Sequence, residues 1–304
     1  MRDVIDEVLD RRGGVATRGM LLRSLGVGAF DDEVRRGHLV RVFPRAYARP
    51  WMADFPDIRE RAALVSVGAP CALSHLSALR RWELPVRVDS DVHVSVPWTR
   101  NPRPQTPGIV VHHIKAPFPK VVRRDGLPTV VAAAAITTSW PMRHGPDQRA
   151  PLLAAARAGD VRTADIRHEL RRSTRLKGRR ALLELLDIID DGCESELELW
   201  GYLDVFAIPG LNGANRQRKL RVRGRRYRVD LAYDDAQLAV ELDGRAYHSS
   251  PEQWERDIAR DTALATIGWQ TIRLSHRRLT TDVAGCRRDV LATLRARRQI
   301  RVSA

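Results

Sequence analysis

Cysteine is scarce in this sequence. Its three residues, Cys71, Cys193 and Cys286, are odd in number, far apart and without a C-x-x-C pair. They offer neither a disulfide framework nor a zinc site, and each reads as a small buried hydrophobe. Long apolar runs are also missing. The longest candidate, Val130 to Ile136, falls well short of the roughly 18–20 residues a spanning helix needs. The N-terminus carries Asp3 and Asp6 where an export signal has a basic start and an apolar stretch. Together these absences point to the cytoplasm and away from a membrane. No G-x-x-x-x-G-K-[ST] phosphate loop is present, which argues against a kinase or nucleotidyltransferase. Internal repeats and low-complexity tracts are absent too.

What is present is basic and globular. The 304 residues carry a formal net charge of +15 and a pI near 10.8, with 43% hydrophobic and 29% charged residues. That length allows two or three domains with real cores. The charge excess calls for a polyanionic partner, with nucleic acid ahead of an anionic membrane surface. Most of the basic residues are Arg, and they are mixed with acids and apolar positions. A histone-like tail is therefore not expected.

Patterning divides the chain into residues 1–52, 53–190 and 191–304, with an overall α/β (α+β multi-domain) character. In the first segment, Val4, Ile5, Val8 and Leu9 mark a helix ended by Gly13-Gly14. Thr17 is placed to cap a second helix carrying Leu21, Leu22 and Leu25, and a third holds Phe30 and Val34. Two strands, Leu39 to Phe43 and Ala46 to Ala48, flank a Pro44-Arg45 turn. Three short helices and a hairpin make a winged helix-turn-helix. Arg35, Arg36, Arg41 and Arg45 could meet phosphates there. Asp31, Asp32 and Glu33 on the presumed recognition helix would repel them, so that helix is expected to bind DNA weakly or to serve as a protein contact.

The second segment is a mixed α/β region. Helices are expected around Ile58 to Val67 and Ser74 to Arg81, and strands at Asp91 to Val96 and Ile109 to Ile114, with a Pro-rich loop from Pro97 to Pro107 between the strands. Helices are expected to resume from Thr129, the last of them around Arg180 to Ile189. Ser74 and His75 are adjacent, so a helix would point them apart. They read as a cap and a packed histidine rather than as a nucleophile and base.

The third segment carries the chemistry. Tyr227 to Tyr233 and Leu238 to Gly244 alternate like strands, with Asp234-Asp235 as the turn. A tight hairpin centred near 235–236 sets Asp230 opposite Glu241, and Asp243 follows on the same face. Val229, Leu231, Val240 and Leu242 are left for the core. Three carboxylates on one face repel one another, and a hard cation such as Mg²⁺ or Mn²⁺ relieves that repulsion. Such an ion retains waters, one of which can become a nucleophile. Arg216, Arg218, Lys219, Arg221, Arg223, Arg225, Arg226 and Arg228 precede Asp230 with no acid among them. That run suits a nucleic-acid backbone. Ser195 and Glu198 fit a capping box; alternatively, Glu198 reaches the acidic face. A helix from about Pro251 to Ile267 carries Arg256/Arg260 and Asp257/Asp261 as i,i+4 pairs, ahead of a buried strand from Trp269 to Leu274.

Glu198, Arg228-Val229-Asp230, Val240-Glu241-Leu242-Asp243-Gly244 with His248, the Arg256-Asp257 and Arg260-Asp261 helix, and Gly268-Trp269 with Ile272-Arg273 resemble the small domains related to the very-short-patch-repair endonuclease. These belong to the PD-(D/E)XK restriction-endonuclease superfamily. The resemblance spans about 192–294. It implies a restriction-endonuclease-like four-stranded mixed sheet flanked by helices, and Mg²⁺-dependent phosphodiester hydrolysis with Asp230 and Glu241 as metal ligands and Glu198 assisting. The superfamily has Lys two residues after the second acid, where this chain has Asp243. Asp243 and His248 are the candidate replacements. Gly14 to Arg18, Gly37 to Val42, Arg45 to Ala48 and Ser74 to Leu79 resemble abortive-infection antitoxin regulators with an N-terminal winged helix.

Two functions are thus expected of the sequence. One is a DNA endonuclease with Mg²⁺ or Mn²⁺ as cofactor. The other is a non-cleaving, DNA-binding regulator with a degenerate nuclease fold. Charge does not separate RNA from DNA, although no aromatic RNA-recognition motif is present.

Overall fold

The computed structural model describes residues 2–87, 90–100, 106–115, 117–193, 195–243 and 251–302. The architecture is mixed α/β, with three sheets among the described residues. The chain forms two compact units, residues 1–180 and 181–304.

The first unit begins with α1 (Arg2–Asp10), β1 (Ala16–Thr17), α2 (Arg18–Leu25), α3 (Val27–Arg35), β2 (Val40–Phe43) and β3 (Ala46–Ala48). The Thr17 hydroxyl accepts the Met20 N–H at 3.2 Å, as an N-cap does. Arg45 turns the hairpin at φ 68°, and β1 completes a β1-β3-β2 sheet. Ile5, Leu9, Leu21, Phe30 and Leu39 form a core beneath the helices. The acids of α3 do not simply line its surface, because Glu33 is buried against the His38 ring at 3.1 Å.

The unit continues with α4 (Pro56–Val67), β4 (Ala72–Leu73), α5 (His75–Arg81), β5 (Val92–Pro97), β6 (Ile109–Ile114), β7 (Val121–Arg124), β8 (Leu127–Val130), α6 (Ala132–Ser139), α7 (Pro146–Ala158) and α8 (Thr163–Arg172). A five-stranded sheet has the order β6-β5-β4-β8-β7. Phe43, Ala46 and Ala48 share a core with Ile58, Ala62, Val92 and Val94, so the N-terminal hairpin and the following region pack as one body. Residues 101–105 of the Pro-rich loop lie outside the described residues. Thr129 lies in a strand rather than starting a helix. β7 and β8 pair antiparallel from Val121↔Val130 to Arg124↔Leu127 around Asp125-Gly126, both at positive φ.

The expectation for Ser74 is also corrected. Its side chain makes no cap hydrogen bond. Instead its hydroxyl lies 3.0 Å from His75 Nδ1. The two side chains meet because Ser74 is extended and His75 has φ 47°, which is not helical geometry. The His75 ring stacks on His112 at 3.5 Å between centroids, and His112 Nε2 lies 2.9 Å from His93 Nδ1. Burial holds His75 far below the usual imidazole range and takes His112 down to about 4.

The second unit opens with α9 (Arg179–Asp190), whose Leu182, Leu185, Leu186 and Ile188 are buried. Next come α10 (Glu196–Trp200) and a single π-helical turn, Gly201–Val205. The sheet follows, with β9 (Asn215–Val222), β10 (Arg225–Tyr233) and β11 (Leu238–Asp243), then α11 (Pro251–Ala265), β12 (Gln270–Ser275), α12 (His276–Thr281) and α13 (Val283–Val302). Its order is β12-β11-β10-β9, antiparallel except for β11 with β12. Val229, Leu231, Val240 and Leu242 are buried as the alternation requires, each contributing about 1.5–3 kcal/mol. β12 is not fully buried. It lies at the sheet edge, and within it only Leu274 is buried. Gly201 passes so close to β11 that a Cβ there would collide with Leu242 Cδ1. Among the described residues, no helix is long and apolar enough to cross a membrane.

Candidate active site

Tyr233 pairs with Leu238 and Leu231 with Val240, so Asp230 and Glu241 stand opposite one step further along. There the Asp230 carboxylate takes over from the main chain, with Oδ2 accepting the Leu242 N–H at 2.8 Å. Glu241 is buried and lies next to Arg273 in the parallel register with β12. Asp243, half-buried, is two residues along the same strand and in register with Ser275. His248 lies outside the described residues.

Glu198 sits at the capping position of α10 and also reaches Gln217. Its N–H donates to Ser195 Oγ at 3.1 Å, capping α10, and Ser195 Oγ donates to Glu198 Oε1 at 2.7 Å. Its other oxygen, Oε2, accepts from Gln217 Nε2 at 3.0 Å. The same nitrogen lies 3.1 Å from Asp230 Oδ1 and 2.6 Å from the Tyr202 hydroxyl, which donates to the Asp230 carbonyl at 3.2 Å. Gln217 has φ 47° inside β9 and is buried, while its neighbours Arg216 and Arg218 are exposed. They pair with Leu231 and Val229, leaving Gln217 across from Asp230. The sequence reading missed Gln217. Its one signal there is an uncharged residue inside a run of cations.

Burial raises the pKa of both acids. It lifts the Asp230 carboxyl above the usual range against the Leu242 N–H, Gln217, Arg260 and Arg228. It pushes Glu241 up to about 8; Arg260 is the main opposing influence, and the charge of Asp230 adds to the rise. Burial, then Glu198, raises the Cys193 thiol, so this cysteine is poorly suited to act as a nucleophile.

The predicted cations fall into different settings. The Arg260 guanidinium donates to Glu241 Oε1 and to the Arg228 carbonyl. Arg218 pairs with Asp234 at 3.1 Å, and Arg216 lies over the Tyr202 ring at 5.6 Å. Arg225 lies over Tyr227 at 5.5 Å. Lys219, Arg221, Arg223, Arg226, Arg228 and Arg256 are exposed. Asp257 and Asp261 both hold Arg273, at 3.7 and 3.0 Å.

Among the described residues, no three Asp, Glu, His or Cys side chains are arranged to hold a metal ion. Asp230, Glu241 and Glu198 therefore do not form a ready-made three-ligand cup; Gln217 lies between Glu198 and Asp230, and Arg260 engages Glu241. The donor chemistry still fits a hard cation. Buried Glu241 and half-buried Asp230 lie on adjacent strands, both with raised pKa, and Gln217 Oε1 is buried without a hydrogen-bond partner among the described residues. Magnesium commonly takes only one or two protein carboxylates, completing its shell with water and substrate phosphate.

Residues 210–294 match the family model REase_MTES_1575, a restriction-endonuclease-like family. The C-terminal part of the chain is thus a restriction-endonuclease-like domain. Two Mycobacterium tuberculosis proteins, the uncharacterized protein Rv2248 (strain ATCC 25618 / H37Rv) and the uncharacterized protein MT2308 (strain CDC 1551 / Oshkosh), are each 30% identical to the chain over 248 residues, 80% of this chain and 87% of the relative. The chain belongs to the family of Rv2248 and MT2308. The crystal structure of the RV2827C protein from M. tuberculosis is similar over 61% of this chain and 75% of its own, with 21% identity and a TM-score of 0.44.

Proposed function

We propose that the protein is a divalent-cation-dependent DNA endonuclease. The observation that carries this reading is the placement of half-buried Asp230 on β10 and buried Glu241 on β11, one step beyond the Leu231↔Val240 pair, with Glu198 tied to Asp230 through Gln217. Asp230 and Glu241 would hold Mg²⁺ or Mn²⁺, with Glu198 assisting. The bound cation would supply charge for the phosphate and a more acidic water. Asp243 stands two residues from Glu241 and takes the role of orienting or deprotonating the attacking water, the Lys of the superfamily being absent. His248 is the second candidate for that role. Arg260, half-buried beside Glu241, is positioned to meet developing negative charge. Lys219, Arg221, Arg223, Arg226, Arg228 and Arg256 supply phosphate contacts, with Arg216, Arg218 and Arg225 beside them.

In the same reading, residues 1–52 are a winged helix-turn-helix, residues 53–190 an antitoxin-like α/β region, and residues 191–304 the nuclease. The first of these positions the nuclease on DNA or contacts a protein.

A second reading, a DNA-binding regulator that does not cut, draws support from Asp243 in place of Lys and from the engagement of Glu241 by Arg260. One experiment separates the two. Supercoiled plasmid is incubated with protein and Mg²⁺ or Mn²⁺, alongside Glu241→Ala. Nicking that requires the cation and is lost in the variant supports the enzyme. Tight, salt-sensitive binding unchanged by EDTA, with no nicking by the native protein, supports the regulator.

A further inference from the structure

We propose that Gln217 is a positioning residue that holds Glu198 and Asp230 together until a divalent cation takes its place. The inference rests on the nuclease reading and gives Gln217, which that reading uses only as a bridge, a part in cation binding. Gln217 Nε2 carries two hydrogens, yet three oxygens lie within hydrogen-bond reach: Glu198 Oε2 at 3.0 Å, Asp230 Oδ1 at 3.1 Å and Tyr202 Oη at 2.6 Å. Gln217 Oε1 is buried and meets no donor among the described residues. The amide is thus over-supplied with acceptors at one end and without a donor at the other.

That imbalance has a chemical logic. The two carboxylates come from separate elements, α10 and β10, and the Gln217 amide is the group that links them. An amide N–H pair is a neutral donor that bridges both at small electrostatic cost. A cation shared by Glu198 and Asp230 removes the acceptors that hold the nitrogen. Rotation about the last side-chain bond then presents Oε1 in place of Nε2, giving the cation side an oxygen and the Tyr202 hydroxyl an acceptor. The backbone agrees with a specific placement. Gln217 keeps φ 47° within a strand, a conformation that L side chains with a Cβ adopt only under constraint. That conformation puts its side chain inward while the cations on either side remain outside.

The test compares the full-length protein with Gln217→Leu and Gln217→Glu. Mn²⁺ affinity is read by electron paramagnetic resonance, and the Gln217 side-chain amide is followed by ¹⁵N NMR during Mg²⁺ titration. In the native protein the amide signal is expected to move with Mg²⁺. Gln217→Leu should weaken Mn²⁺ binding about tenfold or more, in the range seen when a partner of a metal ligand is lost. Gln217→Glu, which adds a carboxylate, should tighten it while lowering the melting temperature without metal. A purely structural glutamine predicts unchanged Mn²⁺ affinity in whichever variants fold and an amide signal indifferent to Mg²⁺; either result overturns the proposal. If native protein binds Mn²⁺ and nicks plasmid while both variants bind equally well, this inference alone fails. If native protein neither binds the ion nor nicks, the nuclease reading fails and this inference with it.

Discussion

The Leu242 N–H donates to the Asp230 carboxylate at 2.8 Å, so an acidic side chain extends the β10–β11 ladder past its last main-chain pair. The same carboxylate faces Gln217 with its other oxygen. Asp230 is therefore both part of the sheet and part of the candidate site.

These two roles separate by substitution. Asp230→Asn keeps an oxygen for the Leu242 N–H and should leave the urea midpoint nearly unchanged. Asp230→Ala leaves that buried donor unpaired and should cost about 1–3 kcal/mol. Both variants should lose plasmid nicking by about a hundredfold or more, because both lose the charge that the proposed function uses to hold the cation. Equal nicking by Asp230→Asn and native protein would remove Asp230 from the site.

Arg260 is expected to matter for folding as well as for substrate. Removing its guanidinium strands Glu241 in a buried position, so Arg260→Ala should lose about 2 kcal/mol without metal. Adding Glu241→Gln to that variant should restore most of the loss. A double-mutant cycle in urea checks this, and simple additivity of the two changes would contradict the pairing.

The histidine cluster of the first unit predicts sensitivity to acid. His75 and His112 have pKa values lowered by burial, so the folded protein takes up fewer protons than the unfolded chain. Their contribution to stability is complete above the ordinary imidazole pKa of about 6.5 and is lost as pH falls toward about 4. The melting temperature of the first unit should drop by roughly 5 °C over that window. His75→Asn, which tolerates a positive φ, should flatten the drop. A native profile flat between those pH values would count against the cluster.

DNA binding should weaken steeply with salt. Each phosphate contact contributes about 0.9 to the slope of log affinity against log salt. Replacing Arg221, Arg223 and Arg226 with Ala should flatten the slope and lower affinity for unrelated sequences alike, as fluorescence anisotropy can show. An unchanged slope would place the DNA elsewhere.

Much of this site was readable from the residues alone. Alternation through Tyr227 to Tyr233 and Leu238 to Asp243, with Asp234-Asp235 between, set the hairpin register and so the opposition of Asp230 and Glu241. The short N-terminal helices followed from the Gly13-Gly14 break and the Thr17 cap. Other features depend on information that pattern does not carry. β7 and β8 are four residues each, and β7 ends on Arg123-Arg124, so neither shows clear strand patterning. The Ser74–His75 contact requires a positive φ at a residue that helical spacing would orient outward. His93 and His112 join His75 only through the pairing of β5 with β6. Gln217 turns inward through one backbone torsion that period-two counting does not register.

Gly201 has no functional group, yet it governs how near the helix bearing Glu198 can come to the strand bearing Glu241. A single added methyl there would come well inside contact distance of Leu242 Cδ1, so the buried Leu242 side chain would have to move. A genetic screen for loss of nicking should therefore recover Gly201→Ala together with changes to the acids, and such a mutant would retain every acid of the candidate site while altering the spacing between them.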